Sequence, residues 1–168
     1  MREPEHAQFM ELVETARQYC HLIDRMPANT DWLAPLFKIL PRLHAGIVAL
    51  RASAAAGQVP PEPADFDDRF DLFSQLRVRL GEQDTYWLEY DDPMLAAEDA
   101  EHRTGSLADD LTDIYFELKR GLKMLDTDAA GADRVAHLWE LGFRRHWGQH
   151  LVDAERHLYA LTVNDQLA

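Results

Sequence analysis

The chain has 168 residues, 17 Lys plus Arg against 30 Asp plus Glu, a net charge of −13 at pH 7 and a single cysteine. That length suits one domain burying roughly 70% of its unfolded surface, so no disulfide or metal is needed to hold it together. The lone Cys20 excludes an internal disulfide framework, 46% hydrophobic residues exclude a disordered chain, and the acidity argues against nucleic acid or an anionic membrane as partner.

The start Met-Arg-Glu-Pro-Glu-His lacks the apolar core of a signal peptide. The apolar run Trp32 to Leu40 is broken by Pro35 and Lys38 and is too short to span a bilayer. The expectation is a cytoplasmic protein. The basic residues are 14 Arg and only 3 Lys, a codon bias pointing to a GC-rich bacterial source.

In residues 5–25, Phe9, Leu12, Val13, Ala16, Tyr19, Cys20 and Ile23 recur at helical spacing. Asn29 or Thr30 then offers a cap for a second helix whose stripe is Trp32, Leu33, Leu36, Phe37, Leu40, Leu43, Ile47 and Leu50. Pro41 lies inside it, which predicts a kink or two shorter helices. Residues 57–68, with Pro60, Pro61 and Pro63, read as a Pro-rich loop. Asp65 or Asp67 can cap a third helix with Phe66, Phe70, Phe73, Leu76 and Leu80 on its apolar face, stopped by Gly81.

Residues 81–105 carry eight acidic side chains against one Arg and read as a long connection. Within it, Tyr86, Trp87 and Tyr90 predict a short helix or an extended piece, with core or dimer contacts. Ser106 and Asp109 make a capping-box pattern before the cleanest stripe of the chain, Leu107, Leu111, Ile114, Tyr115, Leu118, Leu122 and Leu125. A last helix from about Asp133 to Leu161, roughly 40–45 Å long, carries Val135, Leu138, Trp139, Phe143, Trp147, Leu151, Ala154, Leu158 and Leu161. Gly142 and Gly148 permit close approach along it. No period-two alternation is sustained, so the expected fold is all-α, one antiparallel bundle of about five main helices over residues 1–168. Leu111, Ile114, Leu118 and Leu122 are expected to pack on Trp139, Phe143, Trp147 and Leu151.

His146 and His150 are four apart, so one helical face presents both imidazoles, and Asp153 and His157 extend that line. A metal would need a third ligand from another helix, and His44, Asp110, Asp113 and Glu117 are the candidates. The weightier reading is a polar shoulder whose histidines hydrogen-bond helix four. Asp109, Asp110, Asp113 and Glu117 likewise fit helix capping and the helix dipole better than an acid–base pair. A di-iron carboxylate bundle needs two Glu-x-x-His motifs, and the one match, Glu3 to His6, lies at the N-terminus. Cys20, inward-facing and without a basic neighbour, reads as an inert thiol.

The segments SLADDLTDIYFELKRGL (106–122) and WELGFRRHWGQHLVDAERHLYAL (139–161) resemble the bacterial domain-of-unknown-function family 5063 of short all-helical proteins. That resemblance places the hallmark positions at Ser106, Asp109, Asp110, Asp113, Trp139, Phe143, His146, Trp147, Gly148 and His150, and implies a fold without a reaction. His44, His146 and His150 are also similar in spacing to the metal histidines of the DNA-damage-inducible bundle superfamily of hydrolases and transferases. Two functional expectations result. The leading one is an interaction module without catalysis or cofactor, taking a protein partner or a second copy. The alternative is a metal-binding bundle enzyme holding a divalent transition metal on the His146–His150 pair.

Overall fold

The computed structural model describes residues 3–26, 32–50, 65–87, 104–128 and 131–164. Helix α1 (Glu3–Asp24) buries every position of its expected stripe, from Phe9 to Ile23, and α2 (Leu33–Ala49) packs along it. The expected cap residues Asn29 and Thr30 lie outside the described residues. Pro41 lies inside a continuous α2, so of the two expected outcomes the pair of shorter helices is not formed. Leu33, Leu36, Leu40, Leu43 and Ile47 are buried on both sides of it. That continuous stripe outweighs the roughly 3 kcal/mol cost of an interior proline.

Helix α3 (Phe66–Leu80) starts inside the region expected to be loop, and residues 57–64 lie outside the described ones. Its inward face is Leu76 and Leu80, with Leu72 and Phe73 packed against the core. Phe66 and Phe70 are 80% and 68% exposed, so the inward face is about a sixth of a turn narrower than the expected stripe. Gly81, at φ +55°, ends the helix in a conformation that other residues adopt only with strain. A 3-10 turn (Gly81–Gln83) leads to strand β1 (Thr85–Trp87), paired antiparallel with β2 (Thr104–Ser106). Tyr86 and Trp87 are therefore extended, whereas Tyr90 lies outside the described residues.

Helix α4 (Leu107–Thr127) occupies the centre, touching α1, α3 and both halves of the last rod. Its Ser106 cap accepts the Asp109 N–H at 3.3 Å, as the capping box predicts. Asp84 completes the helix start: its carboxylate takes the Ser106 hydroxyl at 2.9 Å and the Ala108 N–H at 2.8 Å, and its carbonyl takes the Leu107 N–H at 2.8 Å. Tyr19 ties α1 to α4 by donating to the Leu111 carbonyl at 2.8 Å. Cys20 is buried, and that burial pushes its thiol to about 12, out of reach of nucleophilic chemistry at neutral pH.

The last helix is not one α-helix. It runs as α5 (Ala132–Gly142), a π-helical turn (Phe143–Trp147) and α6 (Gly148–Val163). A straight α-helix would set Trp147 about 80° around from Trp139; absorbing one further residue in the turn reduces that offset to about 20°. Both indoles accordingly face the core with 0% exposure, against the buried Leu111, Ile114, Leu118 and Leu122. Phe143, in the turn itself, is only half-buried and meets Trp147 edge-on at 5.1 Å.

Gly148 makes the turn sterically allowed. Its N–H reaches the Phe143 carbonyl five residues back, and a Cβ at 148 would lie 2.3 Å from that same oxygen. Backbone cannot swing aside as a side-chain tip can. Gly148→Ala is therefore expected to destabilise the fold by about 1–3 kcal/mol, the usual cost of overpacking. Urea denaturation checks this; an unchanged midpoint would show that the turn tolerates a side chain.

Candidate functional site

The polar positions of α4 and the last rod meet where the first turns of α4 pass the π turn and the start of α6. The His150 Nδ1 lies 2.9 Å from Asp110 Oδ1, and its Nε2 lies 3.3 Å from Asp113 Oδ2. His146 Nε2 comes within 3.7 Å of the same Asp113 oxygen. Both imidazoles thus converge on one carboxylate, with ring centres 5.0 Å apart. Among the described residues, Asp113, His146 and His150 offer three ligand atoms all within 4.8 Å of one another.

Two further side chains, neither expected from the sequence to belong here, fix that geometry. Tyr86 donates its hydroxyl to Asp110 Oδ2 at 2.5 Å, reaching from β1 beneath the helix start. It can lie there because its strand partner is Gly105, where a Cβ would fall 2.2 Å from the phenol ring. Arg69 of α3 donates to Asp113 Oδ1 at 2.7 Å and to Asp65 at 2.8 Å, its guanidinium 4.8 Å from the Phe116 ring centre. An aromatic residue after an acidic stretch, or one Arg among fourteen, gave no local signal for either role.

Electrostatics follow from this packing. Asp110 is buried, and loss of hydration pushes its carboxyl upward although bonds from His150 and Tyr86 pull the other way. The bond to Asp110 raises His150 above its ordinary value, outweighing its own partial burial. Partial loss of hydration of its carboxyl, then the Asp113 charge, also raises Asp109 in the first turn of α4.

The other sequence candidates lie apart from these three ligand atoms. His44 pairs with Glu155 at 2.9 Å, and its ring sits 5.9 Å from Phe143. Its pairing with His146 and His150, suggested by spacing alone, is not formed. Glu117 is buried one turn beyond Asp113, where its carbonyl accepts the Trp139 indole N–H at 3.1 Å. Asp153 is half-buried and contributes charge, raising both Asp110 and Tyr86.

His157 does separate work. Its Nε2–H donates to the Gln83 carbonyl at 2.6 Å, and its ring stacks on Tyr86 at 4.8 Å, clamping the hairpin to α6. Burial lowers its pKa, opposed by the Gln83 bond and by Asp84, and assisted by Arg156. The unfolded chain then takes up the proton more readily, so this contribution to stability is present above about pH 6.5 and fades as pH falls below it. His150 has the opposite sign, stabilising below about pH 6.5 and losing that as pH rises through its raised value. His157→Gln is expected to reduce the loss of melting temperature between about pH 7.5 and about pH 5.5; an unaltered pH slope would assign the acid sensitivity elsewhere.

Hallmark positions of the resemblance, Asp110, Asp113, His146 and His150, thus share one cluster, with Trp147 and Gly148 shaping the turn that presents it. The chain matches the family model of the domain of unknown function DUF5063 over residues 4–164. It belongs to that family. Its fold is similar to that of protein BF1032 from Bacteroides fragilis, known from a crystal structure, with a TM-score of 0.71 and 21% identity over 90% of each chain. Identity that low shows a shared all-α fold and nothing about activity. No curated protein matches the chain. None of its described helices is long and apolar enough to cross a membrane.

Proposed function

We propose that this DUF5063 protein binds a divalent transition metal ion through Asp113 Oδ2, His146 Nε2 and His150 Nε2. Of the two functions the sequence leaves open, the geometry favours the metal-binding one over the interaction module. The observation that carries it is the spacing of those three atoms. Metal–ligand bonds of about 2.0–2.1 Å put neighbouring ligands about 3 Å apart in an octahedron and about 3.4 Å apart in a tetrahedron. The Asp113–His150 and Asp113–His146 separations of 3.3 and 3.7 Å lie near those edges. All three atoms lie within 4.8 Å of one another, so binding would draw the two imidazoles together.

The surroundings fit the same reading. A ligating imidazole commonly gives its second nitrogen to a carboxylate, which fixes the ring and raises its basicity. Asp110 stands in that relation to His150, and Tyr86 fixes Asp110 in turn. Two imidazoles and one carboxylate suit zinc, iron, cobalt or manganese better than calcium or magnesium, which prefer all-oxygen sites.

Isothermal titration of chelator-treated protein with Zn²⁺ and Co²⁺ tests the proposal, beside elemental analysis of protein purified without chelator. One equivalent should bind, and the His146→Ala and Asp113→Asn variants should lose it. Uptake that is absent, or equal in wild type and variants, would overturn the site. Retained helical circular dichroism in the variants separates lost ligation from lost folding.

A further inference from the structure

Resting on that metal site, we infer that the loaded protein accepts a small bidentate oxygen-donor ligand, of the 2-oxo or 2-hydroxy acid class, and that Arg69 keeps Asp113 from taking one of the three positions left for it. The argument starts from the two oxygens of Asp113. One, Oδ1, is held by the Arg69 guanidinium at 2.7 Å; the other, Oδ2, faces both histidines. Arg69 and Asp113 are each less than one-fifth exposed, and Asp65 and the Phe116 ring hold the guanidinium in place. A planar Arg fork in such a setting competes well with any second bond from the carboxylate to a metal.

Asp113 is thereby limited to one ligand atom. His150 is limited likewise, because its Nδ1 is taken by Asp110. The protein supplies three donors with Asp113 Oδ2 adjacent to each histidine nitrogen, since opposite corners would stand about 4.2 Å apart and its two separations are 3.7 and 3.3 Å. A six-coordinate dication so held keeps three positions free, at least two of them adjacent, as in sites of two histidines and one carboxylate that admit exogenous ligands. Two adjacent positions suit a five-membered chelate through neighbouring oxygens.

The open side faces solvent. His146 is 49% exposed, and Asp109 lies exposed beside it. Arg144 and Arg145 are exposed in the same π turn as His146, and Arg144 is paired with Glu140 at 2.6 Å. A dication bound by a single carboxylate retains positive charge, which favours an anionic oxygen donor over a neutral one.

Co²⁺-loaded protein, titrated with oxalate while its visible spectrum is recorded, provides the test, with acetate as the one-oxygen control. Saturable one-to-one binding of oxalate, at least tenfold tighter than acetate, is expected. In Arg69→Gln, Asp113 can take one of the three free positions with its second oxygen, so Co²⁺ should bind at least as tightly and oxalate, left two positions instead of three, severalfold more weakly. Arg69→Lys, which retains the charge without the fork, should fall between, and serves if the glutamine variant does not fold. Failure of Co²⁺ to bind overturns the metal site itself. Binding of Co²⁺ with a spectrum indifferent to oxalate, or removal of the ion by oxalate, overturns the open-site inference alone. Equal oxalate affinity in wild type and both Arg69 variants overturns the role of Arg69.

Discussion

His150→Ala is expected to abolish stoichiometric Zn²⁺ and Co²⁺ uptake while leaving the bundle folded. His150 reaches Asp113 with one nitrogen and Asp110 with the other, so its loss removes a ligand and the link by which Asp110 and Tyr86 orient the site. Asp110→Asn tests the support separately. The amide keeps the size of the carboxylate but not its charge, and loss of such an outer partner typically lowers metal affinity about 10- to 100-fold. Tyr86→Phe should act in the same direction, through Asp110. The competing structural role, a stitch between α4 and α6, predicts another ranking: a lower melting temperature in each variant and metal affinity near zero throughout. Titration calorimetry beside thermal melts distinguishes the two.

Trp147→Ala is expected to produce the largest loss of stability among single truncations near the site. Its side chain has 0% exposure, meets the half-buried Phe143 edge-on, and belongs to the same core cluster as the buried leucines of α4 and α6. The indole Nε1 makes no hydrogen bond among the described residues, so truncation costs apolar contact and a cavity without orphaning a polar partner there. Removing a buried Trp in this way costs about 3–5 kcal/mol. For a domain of this size that corresponds to a fall in melting temperature of roughly 6–20 °C. Because Trp147 also ends the turn that carries His146, Co²⁺ affinity should weaken in the same variant. Trp139→Ala, whose indole N–H does have a partner in the Glu117 carbonyl, provides the comparison without touching the turn. Unchanged stability in Trp147→Ala would mean that the face of the last helix has been assigned wrongly.

The helical architecture was legible residue by residue, because burial along a helix repeats with a local period. The stripes of α1 and α4 match the buried positions from Phe9 to Ile23 and from Leu107 to Leu122. Ser106 announced its own capping role, since the partner N–H lies three residues on. Local reasoning left the outcome open where a local cost is offset by distant contacts. Pro41 passes through α2 because the leucines on either side of it are held by α1 and α6. Phe66 and Phe70 keep helical spacing yet stay exposed, since no described element covers that face of α3.

The sequence by itself determined which side chains of α4 and the last helix could meet: Asp110, Asp113, His146 and His150 recur at the three- and four-residue intervals that align one helical face. Tertiary structure alone decided what they form. The π turn rotates α6 so that Trp147 faces the core, a shift of one residue that an average periodicity does not register. Packing between α4 and α6 selected Asp113 over His44 as the third group beside the histidines, and left Glu117 to the interior. Tyr86 and Arg69 arrive from 24 and 44 residues before their partners, through a strand and a helix with no sequence motif in common. Hydrogen bonds of that span follow from how elements dock, and docking is governed by the whole apolar surface rather than by any local run of residues.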